Sequence, residues 1–233
     1  MSKPLVIAVD GPSGTGKSSV SKAVARALSV SFLDTGAMYR ALAWSCLNDG
    51  IDPSDTARVA EHCRTLDLAM GTDPRSPTVS VSGRRIDREI RSEEVTAVVS
   101  AVATNLDVRA DMLRRQRELI AEGVALKGGT VAEGRDITTV VAPDAPVRIL
   151  MTASEEARMA RRSKQLKVAV EQTRSQIIDR DRADSTVSQF TTAADGVVTV
   201  DTSHLNFEQS VQAVLRVVKE AVGDDINLPA EAR

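Results

Sequence analysis

Aromatic side chains are almost missing from this chain: one Trp, one Tyr and three Phe among 233 residues, 2% in all. A nucleic-acid strand bound without sequence preference is held by bases stacked on aromatic rings, and that supply is not here. An excess of positive charge is lacking too. Lys and Arg number 30 against 32 Asp and Glu, a formal net charge of −2, which argues against a general nucleic-acid coat. No apolar run is long enough to cross a membrane. The start, Met1 to Pro4, leads straight into an apolar strand and shows no signal-peptide pattern. Cys46 and Cys63 have no metal-ligand spacing and read as reduced core residues. His62 and His204 stand alone and read as structural or surface residues. The expectation is a cytoplasmic protein, free of nucleic acid and membrane, whose core is built from Val, Ala, Leu and Ile.

What is present begins with Gly11-Pro12-Ser13-Gly14-Thr15-Gly16-Lys17-Ser18, which fits the pattern G-x-x-x-x-G-K-[ST]. Leu5 to Val9 before it has the length and composition of a strand. Val20, Ala23, Val24, Ala27 and Leu28 after it are spaced for one face of a helix. A strand-to-helix turn of this kind brings backbone N–H groups against phosphate oxygens. The helix starting near Lys17 aims its positive end at the same anion. Lys17 is placed to reach the β- and γ-phosphates, the Ser18 hydroxyl to ligate Mg²⁺, and Ser19 to extend the loop's contacts. The motif therefore calls for a nucleoside triphosphate, without saying what happens to the third phosphate.

Strands and helices alternate through the rest. Val30 to Leu33 reads as a strand, with Asp34 or Thr35 capping a helix that carries Arg40 in its first turns and runs to Leu47. Trp44 and Leu47 read as core. A helix is expected over 54–66. Leu66 to Arg91 differs: short alternating runs around Gly71 to Pro77 and Ser82-Gly83 predict a small antiparallel unit, read as an insertion. Helical spacing returns over 92–103 and 108–125. Thr130 to Ala132 is a strand ending in Glu133-Gly134-Arg135-Asp136, and Val147 to Met151 is another. Thr152-Ala153-Ser154-Glu155 fits a capping box. The helix it opens carries Arg158, Arg161 and Arg162 on one face. A second charged helix runs to about Ser185 and contains Arg180, Asp181, Arg182 and Asp184. Val197 to Asp201 and Phe207 to Val222 close the fold, and 223–233 reads as a loose tail.

Alternation of this kind predicts an α/β fold with a parallel five-stranded sheet covered by helices on both faces. Ligands in such folds bind beyond the carboxyl ends of the strands. The charged clusters that follow the strands should therefore meet at one edge. Their arginines (Arg40, Arg109, Arg135, Arg158, Arg161, Arg162, Arg180, Arg182) exceed what one triphosphate needs. Two phosphate groups facing each other would need them, which favours a kinase with a phosphate acceptor over a hydrolase.

The segments Val9 to Ser18, Leu33-Asp34-Thr35-Gly36-Ala37-Met38-Tyr39-Arg40 and Gly134-Arg135-Asp136 resemble the motifs of bacterial cytidylate kinases. Arg114-Arg115-Gln116-Arg117, Pro143-Asp144-Ala145 and Arg180-Asp181-x-x-Asp184 resemble them as well. The likeness runs from about Pro4 to Val222. It implies a P-loop kinase core (1–34, 104–153, 188–222), a monophosphate-binding domain (35–103, with the antiparallel insertion at 66–91), and a short helical lid with its following charged helix (154–187). It implies transfer from ATP, with Mg²⁺, to CMP or dCMP by a monomer. Lys17, Arg158 and Arg162 would be catalytic. The resemblance places Asp34, Thr35, Arg40 and Arg135 at the acceptor, the last three on its phosphate, with Ser100, Arg109 and Asp136 facing cytosine. Arg180 and Asp184 would sit at the sugar side. The family pattern continues with an Arg three residues after the second Asp. This chain has Val187 there, leaving that contact to Arg182 or to nothing.

Other readings stay open from the residues alone. A kinase for a different small acceptor could share the core. A nucleotide-switched binding protein would need N-K-x-D and D-x-x-G motifs, which are absent, and no strand ends in the Asp-Glu pair of an ATPase motor.

Overall fold

The computed structural model describes residues 4–166, 178 and 180–223. The tail after Gly223, together with 167–177 and 179 of the expected lid and charged helix, lies outside the described residues. Five strands, β1 (Leu5–Asp10), β2 (Ser31–Asp34), β6 (Gly129–Gly134), β7 (Val147–Thr152) and β8 (Val198–Asp201), form one sheet in the order β2-β6-β1-β7-β8. All its pairings are parallel. Successive residues of β1 turn to opposite faces, as a strand's period of two requires. Ile7 and Val9 pack with α1 (Lys17–Ala27) and α7 (Phe207–Val222), while Ala8 packs with the cluster on the other face. That second cluster holds α2 (Thr35–Asn48), α3 (Thr56–Thr65), α4 (Glu93–Ala103) and α5 (Leu106–Lys127).

The small unit is an antiparallel sheet of β3 (Leu68–Gly71), β4 (Thr78–Val81) and β5 (Arg84–Arg85), paired from Leu68–Val81 to Gly71–Thr78. Alternate residues Val79 and Val81 are buried against the α2–α4 side, which holds this sheet to the body. A short 3₁₀ turn (Glu89–Arg91) then leads into α4.

Three local features depart from the expected pattern. Leu47 is 37% exposed rather than core, whereas Trp44, half-buried, packs against the core as expected and lies under the Arg84 guanidinium, 5.2 Å from its ring centre. Thr152 does not cap the lid helix α6 (Glu155–Leu166): β7 extends through Thr152, paired with Asp201, so the Ser154 hydroxyl accepts from Ala157 N–H instead. A short π-helical turn (Ile137–Val141), not anticipated, follows β6.

That turn is held by Asp10, the last residue of β1. Its buried carboxylate accepts from Ile137 N–H (2.9 Å), Thr138 N–H (2.8 Å) and the Thr138 hydroxyl (2.6 Å). Burial pushes its pKa up to about 6 in spite of these three donors. Replacing Asp10 by Ala strands three donors, each costing on the order of 1–3 kcal/mol. The native state keeps a proton on Asp10 between 3.8 and about 6 that the unfolded chain has released, so its contribution to stability falls as pH rises through that window. The stability gap between wild type and Asp10→Ala should therefore widen by about 1 kcal/mol on going from pH 7 to pH 5. Urea unfolding at the two pH values measures it; a gap that narrows on acidification would contradict the assignment.

Candidate active site

Residues following the carboxyl ends of β1, β2 and β6 line one cavity of about 980 Å³, together with α4, α6 and the 180–188 stretch. Its floor is the glycine-rich loop. Among the loop residues expected to bind phosphate, Ser13 through Ser19 line the cavity, whereas Gly11 and Pro12 lie behind it. Gly14 has φ +83° and a Cβ there would stand 2.9 Å from Arg158 O, so the loop can carry the lid helix directly on its back.

Beneath the loop lies Glu133, from the charged cluster that ends β6, a residue for which no role was expected. The register of β1 on β6 sets Val9 opposite Glu133. Glu133 Oε1 accepts from the Ser18 hydroxyl at 2.5 Å, and Oε2 pairs with Lys17 Nζ at 3.4 Å. Burial pushes its carboxyl pKa up and the Lys17 charge pulls it back. Thr35, opening α2, donates its hydroxyl to Glu133 O at 2.9 Å. A Cβ on Gly134 would collide with that hydroxyl, which makes glycine a packing requirement there.

The arginines divide by job. Arg40 reaches from α2 to Ile90 O and the Thr96 hydroxyl, both 3.0 Å, with no carboxylate in that pair of contacts. Burial, then the cations of Arg180 and Arg91, lower its pKa to about 9. Arg135 donates to Ser13 Oγ (2.8 Å), pairs with Asp181 (2.9 Å) and Asp184 (2.7 Å), and lies 4.5 Å over the Phe190 ring. Arg180 is 3.7 Å from Asp184. Arg162 lines the cavity, its pKa lowered by burial and by Arg91. Arg109 pairs with Asp136 at 2.5 Å and donates to Ser188 Oγ at 3.0 Å. Burial raises the Asp136 pKa against the opposing pull of Arg109.

The three lid arginines share a helix face by spacing yet act apart. Arg158 is outside the cavity lining: its Nε donates to Ser13 O at 2.7 Å and its Nη2 pairs with Asp181. Arg161 lines the cavity and grips backbone, donating to Thr15 O (3.2 Å) and to Thr202 O. Only Arg162 of the two expected catalytic arginines faces the cavity. Ser100 is also outside the lining, and Val99 and Ala103 wall the cavity there. Val187 lines it, but Arg182 is exposed and does not. Arg91, Ser188 and the group Leu205, Asn206, Phe207 and Ser210 line it without having been anticipated. No local pattern marks them; their approach depends on how the chain folds back.

The family model for cytidylate kinase matches residues 7–220. The chain belongs to the cytidylate kinase family. It is 48% identical over 219 residues to a cytidylate kinase of Streptomyces coelicolor and 46% identical over 218 residues to that of Streptomyces avermitilis, with 93% of each chain covered in both cases. A Geobacter cytidylate kinase is 39% identical over 228 residues, 94% of this chain and 96% of that one. Members of the family are ATP-dependent nucleoside monophosphate kinases.

Lys17→Ala is expected to lower kcat at least ~10²-fold with the fold intact, because a cation that gains interaction as charge moves in the transition state contributes several kcal/mol. Steady-state kinetics beside a thermal melt check this. Near-normal kcat with only a raised KM for ATP would show Lys17 to be a ground-state contact.

Proposed function

We propose that this protein transfers the γ-phosphoryl group of ATP to CMP or dCMP, giving ADP and CDP or dCDP. The observation that carries the reading is one cavity that joins a phosphate-binding loop to Arg40, Arg91, Arg135, Arg162 and Arg180, drawn from five separate parts of the chain. A volume near 980 Å³ is at the upper end for a single small ligand and suits two nucleotides meeting at their phosphates. The acceptor's phosphate oxygen attacks the γ-phosphorus, the bond to the β–γ bridging oxygen breaks, and ADP leaves. Arginines offset the repulsion between donor and acceptor, and Lys17 meets charge building on the donor side.

In this reading 35–103 is the acceptor unit, 154–187 the lid, and the remainder from 4 to 222 the core. Arg158 and Arg161 seat the lid on the loop, while Arg162 faces the transfer zone. Thr35 supports Glu133, and Asp34 caps α2 by accepting from Ala37 N–H at 2.9 Å. Leu205, Asn206 and Phe207 line the same cavity, with Arg161 donating to Leu205 O at 3.3 Å, and in this reading they receive the adenine. The protein would act as a cytoplasmic monomer on free nucleotides.

Mg²⁺ is implied by the reaction, and the donor set fits it. The Ser18 hydroxyl and the Glu133 carboxylate are hard oxygen ligands brought together at 2.5 Å. Among the described residues no group of three or more His, Cys, Asp or Glu is gathered, which fits a cation that takes most of its shell from water and phosphate. Ser18 and Glu133 would hold it, and it would supply charge neutralisation for the donor's phosphates. Glu133→Gln should raise the Mg²⁺ concentration for half-maximal rate by ~10-fold or more, in line with losses seen when a metal site's supporting groups are removed. A magnesium titration of the variant checks it, and an unchanged midpoint would assign Glu133 to Lys17 alone.

Base choice rests on Asp136. Ionised, it only accepts hydrogen bonds. Cytosine presents N4–H₂ where uracil presents a carbonyl oxygen. A site built around a donor rejects the analogue lacking it strongly, so kcat/KM for CMP should exceed that for UMP by ~10² or more. Arg109 orients the carboxylate through Oδ2 at 2.5 Å. With Ser100 outside the lining, Ser188 on Arg109 takes its place in this reading. A coupled ADP-release assay over CMP, dCMP, UMP, AMP, GMP and a non-phosphorylated hydroxyl substrate tests the function. Asp136→Asn should narrow the CMP:UMP ratio mainly by damaging CMP use; proportional loss on both would leave Asp136 as a partner of Arg109 only.

A further inference from the structure

We infer that Arg91 is a further contact for the acceptor's phosphate, carried on the acceptor unit itself. The inference rests on the reading of the cavity as a two-nucleotide site.

Arg91 ends the 3₁₀ turn between the antiparallel sheet and α4. The turn is fixed: the Ile90 side chain is buried in the core, and Ile90 O takes the Arg40 guanidinium at 3.0 Å. With its backbone so held, Arg91 projects into the cavity lining while its side chain stays 59% exposed. Its ion pair with Asp34 is long, 3.5 Å, and the other Asp34 oxygen already caps α2. An exposed pair of that kind contributes ~0–1 kcal/mol and does not account for the placement.

The surroundings of Arg91 point to an anion. Arg40 from α2 and Arg162 from the lid both lie within its electrostatic reach, and each is a poorer cation for its presence. Three guanidinium groups from three elements thus share one region, with the Asp34 and Asp87 carboxylates offsetting part of their mutual repulsion. Thr35, Gly36 and Ala37, the first turn of α2, line the cavity there as well, so the positive end of that helix adds to the same field. A phosphate monoester dianion satisfies all of these at once. Guanidinium suits it by forked donation, which lysine does not reproduce. On arrival of the acceptor, Arg91 would exchange a weak pair with Asp34 for a charge-assisted one.

Binding of CMP and of cytidine, which lacks the phosphate, separates this from a structural role. Both are titrated calorimetrically against wild type, Arg91→Ala, Arg91→Lys and, as control, Arg88→Ala, an exposed neighbour outside the cavity lining. Arg91→Ala should weaken CMP by ~10- to 100-fold, the range for a hydrogen bond to a charged group, and leave cytidine unchanged. Arg91→Lys should recover part of the loss, Arg88→Ala should match wild type, and KM should rise for CMP but not for ATP. Equal loss on CMP and cytidine, or no loss on CMP, overturns the role of Arg91. A wild type that binds CMP no tighter than cytidine would instead overturn the reading of the cavity itself.

Discussion

The pairing of β1 with β6 is the constraint from which the rest of this structure follows. Six parallel pairs, Leu5–Gly129 through Asp10–Gly134, end flush. The flush ends put the glycine-rich loop and the Arg135-Asp136 turn side by side, although about 120 residues separate them in sequence. A slip of one residue would reverse the faces of β6 and remove Glu133 from Lys17 and Ser18. Asp10 then ties the two ends together through Ile137 and Thr138. The loop's lysine, its hydroxyl, the buried carboxylate and the next arginine are in this way fixed by one backbone ladder rather than by contacts of their own.

Charge sets the second level of organisation. A buried charge without a partner costs several kcal/mol, so the cations around the cavity are held against acids or carbonyls. Lys17 has Glu133, Arg135 has Asp181 and Asp184, and Arg109 has Asp136. Arg40 relies on a backbone carbonyl and a hydroxyl, and burial lowers its pKa to about 9; burial lowers that of Arg135 as well, against the pull of Asp184 and Asp181. Stacking on Phe190 adds a neutral support for Arg135 that does not compete with an incoming phosphate. The arginines are therefore positioned before any substrate arrives, which keeps the reorganisation needed for phosphoryl transfer small.

The lid shows how one helix face can serve two ends. Arg158 and Arg161 bond the carbonyls of Ser13 and Thr15, so the helix rests on the loop's own backbone. Thr202, fully buried after β8, donates to Thr15 O as well and shares Arg161, linking the far edge of the sheet to the loop. Movement of the lid would loosen the loop and the β8 end together. Arg162, one residue on, points its charge to the cavity instead.

Features whose cause is local were legible along the chain. Gly11 to Ser18 carries its own backbone conformation. The alternation of apolar strands with helices of 3.6 period dictates a covered parallel sheet. The turn signals at Gly71 to Pro77 and Ser82-Gly83 dictate an antiparallel unit, and the chain folds accordingly. Even the gathering of charged clusters at one sheet edge follows from strand direction alone. Tertiary structure decided which side chains meet. That Glu133 lies under Ser18 depends on β-register across 115 residues; that Arg162 faces the cavity while Arg158 does not depends on where α6 lands; that Arg91 enters and Ser100 stays out depends on how a short turn packs on α2. Helical spacing gives a face but not its orientation, and a charge pattern gives a sign but not a partner. Both are settled only when distant segments pack, because burial and Coulomb energy depend on spatial distance and not on separation along the chain.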